Sequence, residues 1–315
     1  MRAIFIGILS ALFFSVTFIL NRMMDLEGGS WIWSASLRFF FMLPMLLLIV
    51  GYQKNIKPVL AHLRRYPTQW ILWSTVGFGL FYAPLTFASS FGPGWLVAAT
   101  FQLTIIAGSL LVPFINKSGS KRIPMQSIWI SVVIILGIFI MQIEHASSVS
   151  WVHMMLCVIP LLISAFAYPL GNRKMMQISN GELTTFQRIL GMTIASMPFW
   201  IILSVYGLLT EDLPTASQVG QTFIVAISSG VIATGLFFYA TELVKNDNQK
   251  LAGVEATQSG EVLFALIGEL ILLSAPLPAV ASFIGMALVI LGMVLHSISS
   301  SKKVPVQKKR SASIS

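Results

Sequence analysis

Charge is scarce in this chain: Asp, Glu, Lys and Arg make up 10% of its 315 residues, where a soluble domain carries about 25%. That shortage excludes an ordinary soluble fold. Cysteine is nearly absent. Cys157 stands alone inside an apolar run, so no intrachain disulfide is available, and it reads as a small core residue. Catalytic signatures are missing too. There is no HExxH, no Walker loop and no Ser/His/Asp set at a common depth, and His62, His145, His153 and His296 sit near segment ends. An ATP-driven pump would need a soluble nucleotide-binding domain, for which the chain has no room. An intramembrane enzyme would need catalytic groups clustered at one depth, and only a few carboxylates are on offer. The reading is non-enzymatic, with no cofactor and no metal.

Apolar length is what the chain has in abundance, with 56% hydrophobic residues. A hydrocarbon core about 30 Å thick takes roughly 20 apolar residues in helix. Apolar runs fall at 3–21, 31–51, 69–90, 93–115, 126–143, 151–171, 183–208, 219–242, 251–274 and 278–298. They predict an all-α membrane protein with ten transmembrane helices. Pro44, Pro84, Pro113, Pro160, Pro169 and Pro198 lie inside runs, where neighbouring helices can satisfy the freed carbonyls. No A-x-A-like cleavage site follows the first run before Asn21-Arg22-Met23-Met24-Asp25, which reads as a retained helix rather than a signal peptide.

A net charge of +9 would suggest nucleic acid in a soluble chain. Here the cations lie between apolar runs and set orientation instead. Seventeen of the twenty Lys and Arg fall before the first run, after the even-numbered runs or beyond the last one. The opposite side holds only Arg22, while Arg38 and Arg188 lie within runs. The positive-inside rule places both termini in the cytoplasm and the 144–150 and 209–218 loops outside. Residues 300–315, with Lys302, Lys303, Lys308, Lys309 and Arg310, read as a disordered tail near anionic cytoplasmic lipid. Trp31, Trp33, Trp70, Trp73, Trp95, Trp129 and Trp151 near segment starts, with Trp200, resemble an interfacial aromatic belt.

The two halves resemble each other. Gly79-Leu80-Phe81-Tyr82-Ala83 matches Gly235-Leu236-Phe237-Phe238-Tyr239-Ala240, and Gln102 matches Gln258, both at a shift of 156. Ile134-Ile135-Leu136-Gly137 matches Val289-Ile290-Leu291-Gly292 at 155. Asn21-Arg22 matches Asn172-Arg173, and Arg38 matches Arg188, at shifts of 151 and 150. An odd number of segments per half inverts the second copy. The expectation is two inverted five-helix repeats, 1–145 and 146–299, as in many secondary transporters with a midplane site between halves.

With Ser10-Ala11-Leu12-Phe13-Phe14-Ser15 and the Leu-Gly pairs ending at Gly137 and Gly292, this pattern resembles the drug/metabolite transporter superfamily in its EamA-like branch. Within it, the chain looks like the multidrug-resistance efflux group. The resemblance implies a small-molecule exporter in the cytoplasmic (inner) membrane. The small four-helix multidrug transporters of that superfamily use a glutamate in their first helix. This first segment offers Thr17 and Asn21 instead, so their proton site does not carry over.

Charge within a membrane costs about 2.5–3.5 kcal/mol at a helix centre on insertion scales, which makes the few such residues candidates. Segment nine carries Glu255, Gln258, Glu261 and Glu269. At 100° per residue they form one polar stripe facing away from lipid. Glu261, eleven residues after Lys250, lies near the midplane and suits a proton carrier, a cation partner or a buried structural carboxyl. Arg38 and Arg188 each read as an ion-pair partner, an anion site or a snorkelling side chain. The resemblance places Gln102 and Gln258 on segments that line the central cavity. Tyr82 and Tyr239 are near-equivalent and could supply aromatic surface. The expected mechanism is proton-coupled export by alternating access. Amino-acid or metabolite export is the runner-up, with a lipid translocator as a distant third.

Overall fold

A computed structural model describes residues 1–53, 55–115, 125–148, 150–244 and 248–301. Lys54, Lys117, Lys121, Arg122, Lys245 and the basic tail from 302 onward lie outside the described residues. Regular structure among the described residues is wholly helical. Six runs are long and apolar enough to cross a membrane: Arg2–Leu26 (α1), Trp31–Tyr52 (α2), Pro67–Ala88, Trp151–Ser179 (α9), Thr185–Thr210 (α10) and Ala216–Thr241. Gly94–Gly108, Trp129–His145 and Val280–His296 are shorter apolar helices. The chain is a multi-pass membrane protein.

Several runs are composite. Pro67–Ala88 is α4 (Pro67–Ser74), a π turn over Thr75–Gly79 and α5 (Leu80–Ala88). The next run breaks at Gln102 into α6 (Gly94–Phe101) and α7 (Leu103–Ile115). α8 spans Met125–Ser148. A second π turn, Ala226–Ala233, separates α11 (Ala216–Val225) from α12 (Thr234–Glu242). α13 (Asn248–Ala256) meets α14 (Gly260–Leu272) through a 3-10 turn at Thr257–Ser259. α15 is Val280–Ser301.

The sequence expectation needs three amendments. A short helix, α3 (Ile56–Arg65), occupies what read as loop between segments two and three. Its charges alternate with apolar residues, so it lacks the uniform apolarity of a span. Second, α9 runs on past Arg173 and Lys174 to Ser179, because both charges find partners along the helix. Arg173 donates to the Gly108 carbonyl, and the Lys174 ammonium sits 5.4 Å from the Trp73 ring centroid. The helix then stops at Asn180 and Gly181, both at positive φ. Third, half of the tryptophans face protein. Trp33, Trp70, Trp95 and Trp200 are buried, while Trp129 and Trp151 are exposed. The Trp70 indole donates to His62 Nδ1 at 2.9 Å, which ties α4 to α3.

Packing follows a duplicated pattern. α1 packs along the α11–α12 run and α9 along the α4–α5 run, while α2 pairs with α10 and α8 with α15. Close approach rests on small residues. A Cβ on Gly171 would sit 2.2 Å from Gly77 Cα, and one on Gly137 would sit 2.6 Å from the Gly285 oxygen. Each π turn interrupts the regular carbonyl-to-amide ladder, and a serine from the packed helix donates into each run, at the second π turn itself and two residues past the first. Ser10 on α1 donates to the Ala233 carbonyl at 2.9 Å. Ser164 on α9 donates to the Phe81 carbonyl at 2.7 Å.

Candidate functional site

The centre of the molecule is organised by α6 and α14. Glu269 Oε1 accepts from the Gly94 amide at 2.5 Å, and Oε2 lies 3.5 Å from the Trp95 amide. One end of the pair is thereby a carboxylate on a helix N-terminus. At the other end the Gln102 side chain lies beside the Glu261 carboxyl. Gly94 and Gln102 are eight residues apart, as are Glu261 and Glu269. That is the register of an antiparallel pair, and it puts about 12 Å of rise between the two contacts.

Local chemistry explains the breaks beside Glu261. The Thr257 hydroxyl donates to the Val254 carbonyl at 2.6 Å, and Ser259 donates to Ala256 at 2.7 Å. Hydroxyls that bond back to their own helix compete with the backbone ladder and bend it. On the other run, the Gln102 amide reaches Ala99 rather than the residue four back. Gln102 is therefore presented from a tightened turn, with 3% of its surface accessible.

Beside this pair lies an aromatic and cationic group. The Arg38 guanidinium carbon stands 3.9 Å from the Tyr82 ring centroid and 5.7 Å from that of Phe39. Asn21 Nδ2 donates to the Tyr82 hydroxyl at 3.3 Å. Phe39 stacks on Trp200 at 4.2 Å. Arg38 is 8% accessible, has no ion pair among the described residues, and its Nε has no hydrogen-bond partner there. Tyr168 was not singled out from the sequence. It packs on Phe81 at 4.7 Å and Phe101 at 6.0 Å, and Glu261, Arg38 and Arg188 all lie within electrostatic reach of it. It belongs to the stripe Leu161, Ser164, Tyr168, Gly171 and Met175, the buried face of α9. Yet it remains 37% accessible itself. The i, i+3, i+4 spacing of that stripe was the signal that could have found it.

The remaining candidates scatter. Glu255 is exposed. Gln258 reaches the Gly7 carbonyl at 3.5 Å. Tyr239 accepts from Arg2 at 3.1 Å and is 46% accessible, far from Tyr82, which is fully buried. At the 156-residue shift Tyr82 aligns with Phe238, not Tyr239, which is why the two tyrosines part company. The single stripe expected along segment nine does not survive as one line, because the Thr257–Ser259 turn resets the angle between Glu255 and the rest. Among the described residues no group of His, Cys, Asp and Glu could hold a metal ion.

Residues 1–302 match the family described as "EmrE: Putative multidrug resistance efflux transporter". The chain belongs to this family. It is 54% identical over 320 residues to "Uncharacterized protein YjlA" of Bacillus subtilis (strain 168), covering 99% of both chains. It is 52% identical over 267 residues to "Uncharacterized 42.1 kDa protein in intracellular alkaline protease 3'region" of Shouchella clausii, covering 83% of this chain and 70% of that one. A solved structure described as "Crystal structure of protein" superposes with a TM-score of 0.63 at 13% identity, over 96% of this chain and 98% of the other. That likeness speaks to the fold. The efflux family and the membrane-spanning helices point to small-molecule transport rather than catalysis.

Proposed function

We propose that the chain is a secondary active exporter of small molecules, drug or metabolite, coupled to protons and working by alternating access. Its helical runs make ten transmembrane helices in two inverted five-helix repeats, 1–145 and 146–299, in the cytoplasmic (inner) membrane with both termini inside. The duplicated packing supports this: α1 against the second π-turned run and α9 against the first, each with a serine that donates to a carbonyl of the run. So do the two interrupted runs that carry Gln102 and Glu261.

The Gln102 side chain beside the Glu261 carboxyl, both buried, carries the proposal. A primary amide accepts from a carboxylic acid or donates to a carboxylate, so the contact holds in both protonation states. Glu261 can thus load and release a proton without leaving its partner. It has no ion pair among the described residues, so no fixed cation ties it to the charged form. Rocking of one half against the other would expose it to each side in turn.

The test begins with growth of an expressing strain against a panel of toxic cations and amino-acid analogues. Substrates found there are then followed in everted vesicles under a proton gradient. Glu261→Gln keeps the shape beside Gln102 but removes titration. It should insert normally and lose gradient-driven export. Export undiminished in that variant would sink the role of Glu261 and leave a facilitator without proton coupling.

A further inference from the structure

Arg38 is the one arginine buried outright among the described residues, and it contrasts with two partly buried ones. Arg22 pairs with Asp25 at 2.9 Å and donates to the Ser89 carbonyl at 3.2 Å. Arg173 donates to the Gly108 carbonyl. Arg38 is 8% accessible, yet among the described residues it has no carboxylate within salt-bridge distance and an Nε without a partner. Only ring faces, Tyr82 at 3.9 Å and Phe39 at 5.7 Å, answer its charge. A guanidinium in an apolar interior is costly and persists where something pays the cost. The rings fix its position and leave its in-plane donors free, and a planar fork of donors is the arrangement that recognises a carboxylate in bidentate fashion.

The charges around it point the same way. Arg38 and Arg188 approach Tyr168 together with a single carboxyl, Glu261. Arg188 likewise makes no ion pair among the described residues. The group is net positive even with Glu261 ionised, and more so when it is protonated. A cation entering here meets repulsion, whereas an anion supplies the missing counter-charge. Phe81, Phe101 and Tyr168 offer an apolar, ring-lined wall beside the charges.

We infer that the substrate carries a carboxylate on an apolar or aromatic body, and that Arg38, presented by Tyr82, binds that carboxylate. This rests on the proposed exporter reading and names its substrate class. Loading then places an anion on Arg38 while Glu261 handles the proton, and outward passage of the anion runs with an inside-negative membrane potential.

Three probes with one ring body separate the alternatives: 3-phenylpropionate, phenylalanine and phenethylamine. Binding to the purified full-length chain in phosphatidylcholine/phosphatidylglycerol nanodiscs is measured by calorimetry up to millimolar concentration. At least one of the two carboxylates should bind about tenfold or more tighter than phenethylamine. Arg38→Gln should erase that preference, and Arg38→Lys should restore part of it as a point charge. Phenethylamine binding as well as the carboxylates, binding by neither carboxylate, or carboxylate binding unchanged in Arg38→Gln each overturns the inference. If Arg38→Gln does not fold, the three-probe comparison on the unaltered chain decides alone. Proton-driven, Glu261-dependent movement of phenethylamine in proteoliposomes overturns this inference and leaves the exporter standing. Arg38-dependent carboxylate binding with no gradient-driven movement supports the site and removes the exporter reading.

Discussion

Glu269 offers a test in which structure and energetics can be compared directly. Its carboxylate is 1% accessible and accepts from the Gly94 amide at 2.5 Å, with the Trp95 amide 3.5 Å away. The next two amides of α6, Leu96 and Val97, are answered by the Pro93 carbonyl. Glu269 therefore covers the two donors that nothing else reaches. Glu269→Ala strands both in a buried setting. A buried donor left unmade costs about 1–3 kcal/mol, and the longer contact belongs at the low end, so the variant should lose about 2–4 kcal/mol. Glu269→Gln keeps an acceptor aimed at Gly94 and loses mainly charge assistance, about 1 kcal/mol. At roughly 2 °C per kcal/mol for a chain of this size, the alanine variant should melt about 4–8 °C lower and the glutamine variant about 2 °C lower. Fluorescence-detected size-exclusion after heating in detergent reads this. An alanine variant melting within about 1 °C of the unaltered chain refutes the capping argument. A glutamine variant of normal stability that has lost gradient-driven export would instead make Glu269 a proton carrier.

Two further predictions concern packing and topology. Gly171→Ala drives a Cβ into the Gly77 backbone at 2.2 Å and should lower thermal stability by about 1–3 kcal/mol. Gly220→Ala, with nothing within 4 Å, should be neutral or slightly stabilising as helix propensity dictates, and equal effects from the two would refute the close-approach argument. For orientation, single cysteines are introduced after Cys157→Ser. Ser217→Cys should label with an impermeant reagent in whole cells and Ala61→Cys should not, and the reverse pattern would invert the topology.

Much of the fold was legible because lipid-length apolar runs specify helices without reference to distant contacts. Both observed ends of α2 and α10, and the C-terminal end of α14, lie within two residues of the expected ones. Errors arose where a polar residue found a tertiary partner. Arg173 did not end α9, because Gly108 of another run accepts from it. Trp70 and Trp200 turn inward, where His62 and Ser196 accept from their indoles. At the site, Gln102 was picked for its repeat position and Glu261 for its depth, and nothing in either signal says that they touch. The angular stripe failed at Thr257–Ser259 because 100° per residue presumes an unbroken α-helix. Tyr168 was missed because its neighbours along the chain are uniformly apolar.

The two π turns, Thr75–Gly79 and Ala226–Ala233, bear on the direction of transport. Such turns are where long helices kink, and on the proposed repeat they fall at corresponding places in the two halves. On the proposed alternating-access reading each half would bend by the same means, and the inward-open and outward-open forms would differ chiefly in which half is bent. Direction is therefore a matter of thermodynamics rather than of mechanical build, and a reversed proton gradient should drive the same carrier as an importer.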